Sequence, residues 1–227
     1  MGFEVKFGSL LLPARTPRSL AFYRAECNGR AGAAVVVARG SEARAFFYPA
    51  ALIEEKIGKI GGRKGYVYHE GFNPIRSAEA IAPLIRSDMP AWNPNLSLPQ
   101  ELKLNLLKIS QPGVDIWRML CLALDNGVTI SDQSGPKTFI DQAPPSLVVG
   151  SASQGTVLLA GNHRALFLLG SGIDTINAVS LTVPGRAFQY TESLGRSVEH
   201  VKGRFGSDGV LSLEKSFIEQ LELLEAA

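Results

Sequence analysis

The dipeptide Asn28-Gly29 is the feature that most constrains the fold of this chain. It stands between two apolar runs, SLAFYRAEC and GAAVVVAR, each long enough for a strand. Both central residues of the tight turn that suits a twisted antiparallel pair need a positive φ, which asparagine and glycine adopt at the least steric cost. The sequence therefore predicts a β-hairpin centred on this dipeptide.

A third strand-like run, ARAFFYP, follows a second turn at Gly40-Ser41. It extends the hairpin to a three-stranded antiparallel meander. Upstream of the hairpin, EVKFGSLLL is interpreted as one further strand. The first quarter of the chain is therefore predicted to be an antiparallel sheet.

Residues 77–126 change from strand-like to helical spacing and carry frequent prolines. SAEAIAPLIRS is interpreted as a short amphipathic helix interrupted by Pro83. LPQELKLNLLKIS places Leu102, Leu106 and Ile109 on one face of a second helix. VDIWRMLCLALDNG predicts a third helix, with Asn126-Gly127 at its C-cap.

A second series of short apolar runs follows Gly127 and recurs about every ten residues between Gly, Ser and Asn turns. The runs are VTIS, KTFI, SLVVG, GTVLLAG, ALFLLG and INAVSLTVP. This spacing is typical of sandwiches, barrels and curved antiparallel sheets. Because the runs are apolar at nearly every position, we expect both faces of this second meander to be covered.

Residues 209–225 predict a C-terminal amphipathic helix, with Asp208 as its N-cap. Its apolar stripe is expected to dock on the body of the protein or on a second copy. The stripe comprises Val210, Leu213, Phe217, Leu221 and Leu224.

Together these elements predict an α+β fold. Antiparallel β-meanders stand at both ends of the chain, with a helical segment between them and the amphipathic helix last. Two arrangements fit: one large sheet, or two sheets that share a helical layer. With 45% hydrophobic residues the chain can bury a substantial core. We interpret residues 1–227 as a single domain, with 1–76, 77–126 and 127–227 as its subdivisions.

Charge and cysteine content limit the environment and the partners. The 23 Lys and Arg nearly balance the 21 Asp and Glu, so any site for an anion has to be local. Cys27 and Cys121 form neither a C-x-x-C pair nor a disulfide framework, which favours reduced thiols and a cytoplasmic location. The N-terminal residues are too charged for a signal peptide or a membrane span, so no membrane partner is expected.

Several enzyme chemistries lack the residues that they need. The three histidines, His69, His163 and His200, are too far apart in sequence for a zinc site, and we predict neither a metal nor a cofactor. GSASQG at 150–155 lacks the G-x-S-x-G spacing of a serine nucleophile and is interpreted as a hairpin loop. ELK at 101–103 would suit a nuclease only within a strand, and its helical pattern argues against that.

Two weaker patterns point to turns. Asp125, Asp132 and Asp141 leave a carboxylate site for Mg²⁺ open, although aspartate is a common turn residue and turns are the simpler interpretation. The glycines of Gly170-Ser171-Gly172 lack the third glycine of a dinucleotide-binding turn, since position 175 is threonine. We interpret them as a turn between two strands. No catalytic residue is therefore assigned from the sequence.

The stretch KIGKIGGRKGYVYHEGFNP at 56–74 combines glycines with four cations. The cations are Lys56, Lys59, Arg63 and Lys64. Glycine lets backbone amides approach a phosphate that nearby cations attract. Tyr66 and Tyr68 follow at alternate positions of a predicted strand, where exposed rings could stack on bases. The stretch predicts a surface for single-stranded nucleic acid, although AALIEEKIGKIGG is equally an ordinary helix whose late lysines suit the helix dipole.

A second basic cluster would extend this binding surface. It consists of Lys202 and Arg204, beside Phe205 and glycines. We therefore predict a non-enzymatic protein that binds a nucleic-acid backbone through 56–65 and 202–206. The apolar strands between 146 and 183 further predict a protein partner or a homo-oligomer, with this chain as a subunit of a larger assembly.

Two alternative functions stay open. The first is a self-assembling structural protein, in which Tyr66, Tyr68, Trp92 and Trp117 are packing residues. The second is an enzyme that acts on a nucleotide or another phosphate-containing substrate. Its cleft would be formed by members of one set of polar residues, which are Asp132, Lys137, His163 and His200.

Overall fold

The structure is a computed structural model. It describes residues 3–8, 10–14, 20–39, 41–59, 95–109, 113–127, 129, 145–151, 155–182 and 209–225. The strands are β1 (Phe3–Phe7), β2 (Leu10–Ala14), β3 (Leu20–Cys27), β4 (Arg30–Arg39), β5 (Glu42–Pro49), β6 (Gln100–Lys103), β7 (Lys108–Ile109), β8 (Ser146–Ser151), β9 (Gly155–Ala160) and β10 (Thr175–Thr182). The helices are α1 (Ala50–Lys59), α2 (Ile116–Asn126), α3 (Asn162–Ser171) and α4 (Gly209–Glu225). This mixture confirms the α+β class.

Strands β3, β4 and β5 form an antiparallel sheet in chain order. Asn28 and Gly29 turn the chain between β3 and β4 with φ of 52° and 72°, and Cys27 pairs with Arg30 across the turn. The Asn-Gly hairpin and the N-terminal meander are confirmed. They form where predicted because the turn chemistry and the strand patterns agree.

Each face of this three-stranded sheet packs into its own core. Leu20 and Phe22 of β3 join the larger core cluster with the helices. Their neighbours Ala21 and Tyr23 join a smaller cluster on the other face, together with Leu12 of β2. Alternate residues of a strand point to opposite faces, so a sheet covered on both sides needs apolar residues at successive positions.

The segment EVKFGSLLL forms two strands rather than the single strand expected. Gly8 takes a φ of 56°, a conformation that glycine adopts readily, and it reverses the chain between β1 and β2. The two strands pair with each other as a separate hairpin. Phe7 of this hairpin contacts Phe47 of β5, with ring centroids 6.4 Å apart.

The helices lie between the three-stranded sheet and a five-stranded sheet. Helices α1, α2 and α3 contact the three-stranded sheet. On the side of the five-stranded sheet, α3 contacts β10 and α4 contacts β7. The larger core cluster draws side chains from both sheets, including Val35 of β4 and Val148 of β8. This is the second of the two predicted arrangements, in which two sheets share a helical layer.

The five-stranded sheet is mixed, which corrects the prediction of a second antiparallel meander. Its strand order is β6-β10-β8-β9-β7. Strands β8 and β9 form the antiparallel hairpin expected around GSASQG, whereas β10 runs parallel to β8 and β7 runs parallel to β9. The chain can place β10 beside β8 in parallel because helix α3 separates β9 from β10.

Helix α3 corrects the interpretation of ALFLLG as a strand. A short apolar run cannot distinguish a buried helix from a buried strand, and Leu166, Phe167 and Leu168 are all buried in this helix. Glycines in the left-handed region, Gly161 and Gly172, stand at its two ends. The backbone N–H of Gly172 caps the last turn, so Gly170-Ser171-Gly172 ends a helix and is not a turn between strands.

The predicted helix in LPQELKLNLLKIS is also wrong. The segment forms β6, a 3-10 turn at Leu104–Leu106, and β7. Leu106, expected on the buried face, is 71% exposed, whereas Leu104 and Leu107 are buried. In β6 the exposed charges Glu101 and Lys103 flank the half-buried Leu102, a period of two that suits a charged edge strand.

The helix predicted in SAEAIAPLIRS lies outside the described residues, and the remaining two predicted helices are confirmed. Helix α2 begins at Asp115, whose Oδ1 accepts a hydrogen bond from the backbone N–H of Arg118. The C-terminal helix α4 docks on the body of the protein: Val210, Leu213, Phe217 and Leu221 are buried. Leu224, the fifth member of the predicted stripe, is 37% exposed and extends beyond the contact.

Candidate functional site

Two of the predicted nucleic-acid-binding cations, Lys56 and Lys59, occupy the last turn of helix α1. The helix starts directly after Pro49 and buries Ile53 and Ile57, four residues apart, against the core. The lysines therefore lie outside the core at the C-terminal end, where their charge complements the helix dipole. This is also the end from which the chain continues into residues 60–65.

Lys56 packs on an aromatic pair. Its Nζ lies 5.6 Å from the centroid of the Trp117 ring, within the range of a cation–π interaction. The ring of Tyr48 meets Trp117 edge-on, with centroids 5.9 Å apart and an interplanar angle of 84°. All three side chains are half-buried, so the cation is held in a defined position on the surface.

Lys59 forms an exposed ion pair within the same helix. Its Nζ lies 2.6 Å from Oε1 of Glu55, one turn earlier, and both side chains are more than half exposed. The hydrogen bond from Lys59, and then its charge, lower the pKa of the Glu55 carboxyl. Exposed pairs of this kind are weak, so a phosphate group can compete for this ammonium.

The charge at the end of the C-terminal helix acts on Tyr48 of the aromatic pair. Burial, and secondarily the charge of Glu225 in α4, raises the pKa of the Tyr48 hydroxyl. Glu225 itself pairs with Arg44 of β5, whose guanidinium lies over the ring of Phe46. Glu225 at the end of α4 thus interacts with the exposed Arg44 of β5 and acts electrostatically on Tyr48.

The other predicted binding residues lie outside the described residues. They are Arg63, Lys64, Tyr66, Tyr68, Lys202 and Arg204. The structure therefore brings together Lys56 and Lys59, adds Trp117 and Tyr48 to them, and leaves the rest of the predicted path untested. Trp117 was expected only as a packing residue in one alternative, and its partnership with Lys56 left no signal in the sequence.

His163 is the only described member of the polar set predicted for an enzyme cleft; Asp132, Lys137 and His200 lie outside the described residues. The Nε2 atom of His163 accepts a hydrogen bond from the backbone N–H of Asp115, at 2.9 Å. That nitrogen is therefore engaged at the start of helix α2. The arrangement assigns His163 a structural task, since it satisfies an N–H of the helix entry.

The carboxylates of the described ranges do not assemble a metal site. Asp125, from the predicted Mg²⁺ cluster, lies with Oδ2 at 3.7 Å from the Cys121 Sγ, while Asp132 and Asp141 are outside the described residues. Within the part of the chain that the structure describes, no three His, Cys, Asp or Glu side chains converge closely enough to hold a metal ion.

The ELK segment does lie in a strand, contrary to the helical prediction, yet it forms no nuclease-like cluster with its neighbour. Opposite Glu101 and Lys103, strand β10 presents Asn177 and Thr175. Glu101 Oε1 accepts a hydrogen bond from the Thr175 hydroxyl at 2.6 Å. A nuclease of the kind considered places an acid on the strand beside the acid-x-Lys segment, and β10 supplies neutral side chains.

Arg164 is a half-buried cation that sequence reasoning missed. Its Nη1 donates to Oγ of Ser146 at 3.2 Å, and burial lowers its pKa to about 10. Ser146 also leaves no room for a side chain at position 161, because a Cβ on Gly161 would lie 2.4 Å from the same Oγ. In the sequence, a single arginine before an apolar run gives no sign of this environment.

Comparisons with protein-family models, with curated proteins and with solved structures found no match to this chain. Among the helices that the structure describes, none combines the length and the apolar character needed to cross a bilayer.

Proposed function

We propose that the protein binds the backbone of single-stranded nucleic acid through the C-terminal end of α1 and the basic glycine-rich residues 60–65 that follow it. The observation that supports this most is the position of Lys56 and Lys59 together at the helix end. One ammonium is fixed over Trp117 at 5.6 Å, and the other forms an ion pair with the exposed Glu55. Arg63 and Lys64 follow within five residues of Lys59 in the sequence.

The two lysines would act differently on a bound strand. Lys56 loses little side-chain entropy on binding, because its contact with Trp117 already restricts it. Lys59 can exchange Glu55 for a phosphate, since an exposed pair contributes little and is screened by salt. Tyr66 and Tyr68 are proposed to stack on bases, and Lys202 and Arg204 to continue the path along the backbone.

Fluorescence anisotropy with a labelled oligothymidylate at low salt tests this proposal. The variant Lys59→Ala, Arg63→Ala, Lys64→Ala should bind much more weakly than the parent protein. Its matched control, Arg24→Ala, Lys103→Ala, Lys215→Ala, removes the same charge from three exposed positions elsewhere and should bind nearly as the parent does. Equal loss in both variants would indicate attraction by net charge alone and would contradict a site at 56–65.

A protein partner or a homo-oligomer is a second proposal, and exposed leucines support it. The described chain exposes four of them by 60% or more: Leu98, Leu106, Leu211 and Leu223. Leu106 lies in the 3-10 turn that helix α4 contacts, and Leu211 lies in the first turn of that helix. Light scattering after size exclusion tests this: the parent should exceed a monomer's mass, and Leu106→Ser, Leu211→Ser should reduce it. A monomeric parent would contradict the homo-oligomer.

A further inference from the structure

A pocket of about 420 Å³ opens on the face of the three-stranded sheet that carries the β1–β2 hairpin. It is lined by Phe7, Cys27, Asn28, Arg30, Phe47 and Pro49. Cavities of a few hundred cubic ångströms with mainly apolar walls and few polar groups are the usual size for small molecules. None of these residues belongs to the nucleic-acid surface proposed above.

The strand register explains why a pocket forms here. Ala25, Gly32 and Pro49 pair with one another in a single row across β3, β4 and β5. Small side chains in this row leave room between the Cys27–Arg30 pair and the ring of Phe47. Gly32 leaves the space that the Phe47 ring occupies, because a Cβ at position 32 would lie 2.7 Å from Cζ of Phe47 and 2.3 Å from the carbonyl oxygen of Tyr48.

The β1–β2 hairpin forms the apolar wall of the pocket. The ring of Phe7 lies 6.4 Å from that of Phe47, with 34° between the ring planes. A ring cannot enter between two rings at this distance, so a ligand has to lie against them. The turn at Gly8 closes the side near Cys27, since a Cβ on that glycine would be 3.4 Å from the thiol sulfur.

Arg30 gives the pocket its charge. It stands directly opposite Cys27 in the antiparallel register, so the two side chains share one face of the sheet. It is exposed, and no salt bridge joins it to another residue of the described ranges. None of the described lining residues is acidic, and the Asn28 side chain next to Arg30 adds a neutral hydrogen-bonding group.

We propose that this pocket binds a small carboxylic acid with a flat apolar body. The carboxylate contacts the guanidinium of Arg30, which can donate two parallel hydrogen bonds to it. The apolar body lies against Phe7 and Phe47. A neutral ligand of the same shape leaves the guanidinium without an ionic partner, and a cationic one is repelled by it.

Isothermal titration with three ligands of one shape tests this: 3-phenylpropionate, 3-phenylpropanamide and 3-phenylpropylamine. The acid should bind about tenfold or more tightly than the amide, as expected for a charge-assisted hydrogen bond, and the amine should bind more weakly than the amide. Arg30→Gln should reduce the affinity for the acid to that for the amide and leave the amide unchanged. Arg24→Gln, an exposed arginine of β3 outside the lining, should leave all three unchanged.

Cys27 locates the site independently. Bound acid should slow the reaction of the Cys27 thiol with a neutral alkylating reagent, read by mass spectrometry of the peptide. Three results would overturn the proposal: no binding of the acid at millimolar concentration, equal affinity for acid and amide, or an unchanged affinity in Arg30→Gln that still has the circular dichroism of the parent. The triple variant of the nucleic-acid surface retains this pocket, so the two proposals can fail separately.

Discussion

The rings of Phe22 in β3 and Phe217 in α4 lie with their centroids 5.6 Å apart. Phe167 of α3 stacks on Phe22 at 5.7 Å, and all three side chains are fully buried. Gly170 leaves the space for this cluster, because a Cβ there would lie 2.5 Å from the Phe22 ring. The three-stranded sheet and helix α4 therefore pack together through one aromatic cluster, which consists of Phe22, Phe167 and Phe217.

Replacing Phe217 by alanine should lower the free energy of unfolding by about 3 to 5 kcal/mol, the range for deleting a buried phenylalanine. The cavity would lie against Phe22 and leave its ring without a partner on one side. Leu223→Ala in the same helix is the control, since Leu223 is 70% exposed, and it should change stability by less than about 0.5 kcal/mol. Urea denaturation of both variants measures the difference; similar losses would contradict the packing of α4.

Replacing Gly29 by valine should destabilise the protein by roughly one to a few kcal/mol. The cause is conformational: its φ is 72°, which a β-branched residue adopts only with strain, while no atom lies within 4 Å of an added Cβ. Gly58→Ala provides the contrast, because Gly58 lies within α1 in equally open space. That change should stabilise the protein by about 0.5 to 1 kcal/mol. The melting temperature should fall in Gly29→Val and rise in Gly58→Ala. An unchanged melting temperature in Gly29→Val would contradict the turn assignment.

The N-terminal sheet could be predicted from the sequence because local signals there agree with one another. Asn28-Gly29 specifies a turn of known geometry, and the flanking runs have strand composition. Helices α2 and α4 were predicted for a similar reason: helical spacing coincides with a boundary signal, Asn126-Gly127 at the end of α2 and Asp208 before α4. In these segments the capping, turn and apolar patterns agree, and each segment forms the helix or strand that the patterns predict.

The second half of the fold could not be predicted in the same way because its short apolar runs have no clear period in the sequence. In ALFLLG, burial removes the periodicity that separates a helix from a strand. In LPQELKLN, helical and two-residue spacing both fit, and pairing of β6 with β10 decided in favour of a strand. The pairing of Lys56 with Trp117 is also tertiary, since the two residues come from different helices.

Tyr48 should make stability depend on pH in the alkaline range. Its pKa is raised in the folded protein, by burial first and by Glu225 second, so the unfolded chain loses the phenolic proton at a lower pH than the folded one. Above the unfolded pKa near 10 the unfolded state binds fewer protons, and the free energy of unfolding falls.

The variant Tyr48→Phe removes this titration and isolates its contribution. The stability of the parent minus that of the variant should be constant up to about pH 9 and should decrease as the pH rises above about 10. Chemical denaturation at several pH values measures it. A difference that stays constant, or increases with pH, would show that the Tyr48 hydroxyl is not held in its neutral form.

The salt dependence of oligothymidylate binding tests the proposed nucleic-acid site most directly. Affinities are measured from about 20 to about 200 mM salt for the parent and for Lys59→Ala, Arg63→Ala, Lys64→Ala. Each phosphate contact on a single strand contributes about 0.7 to the slope of log affinity against log salt, so the variant's slope should be shallower by roughly 2. Equal slopes for the two proteins, or no binding by the parent at the lowest salt, would contradict the proposed site.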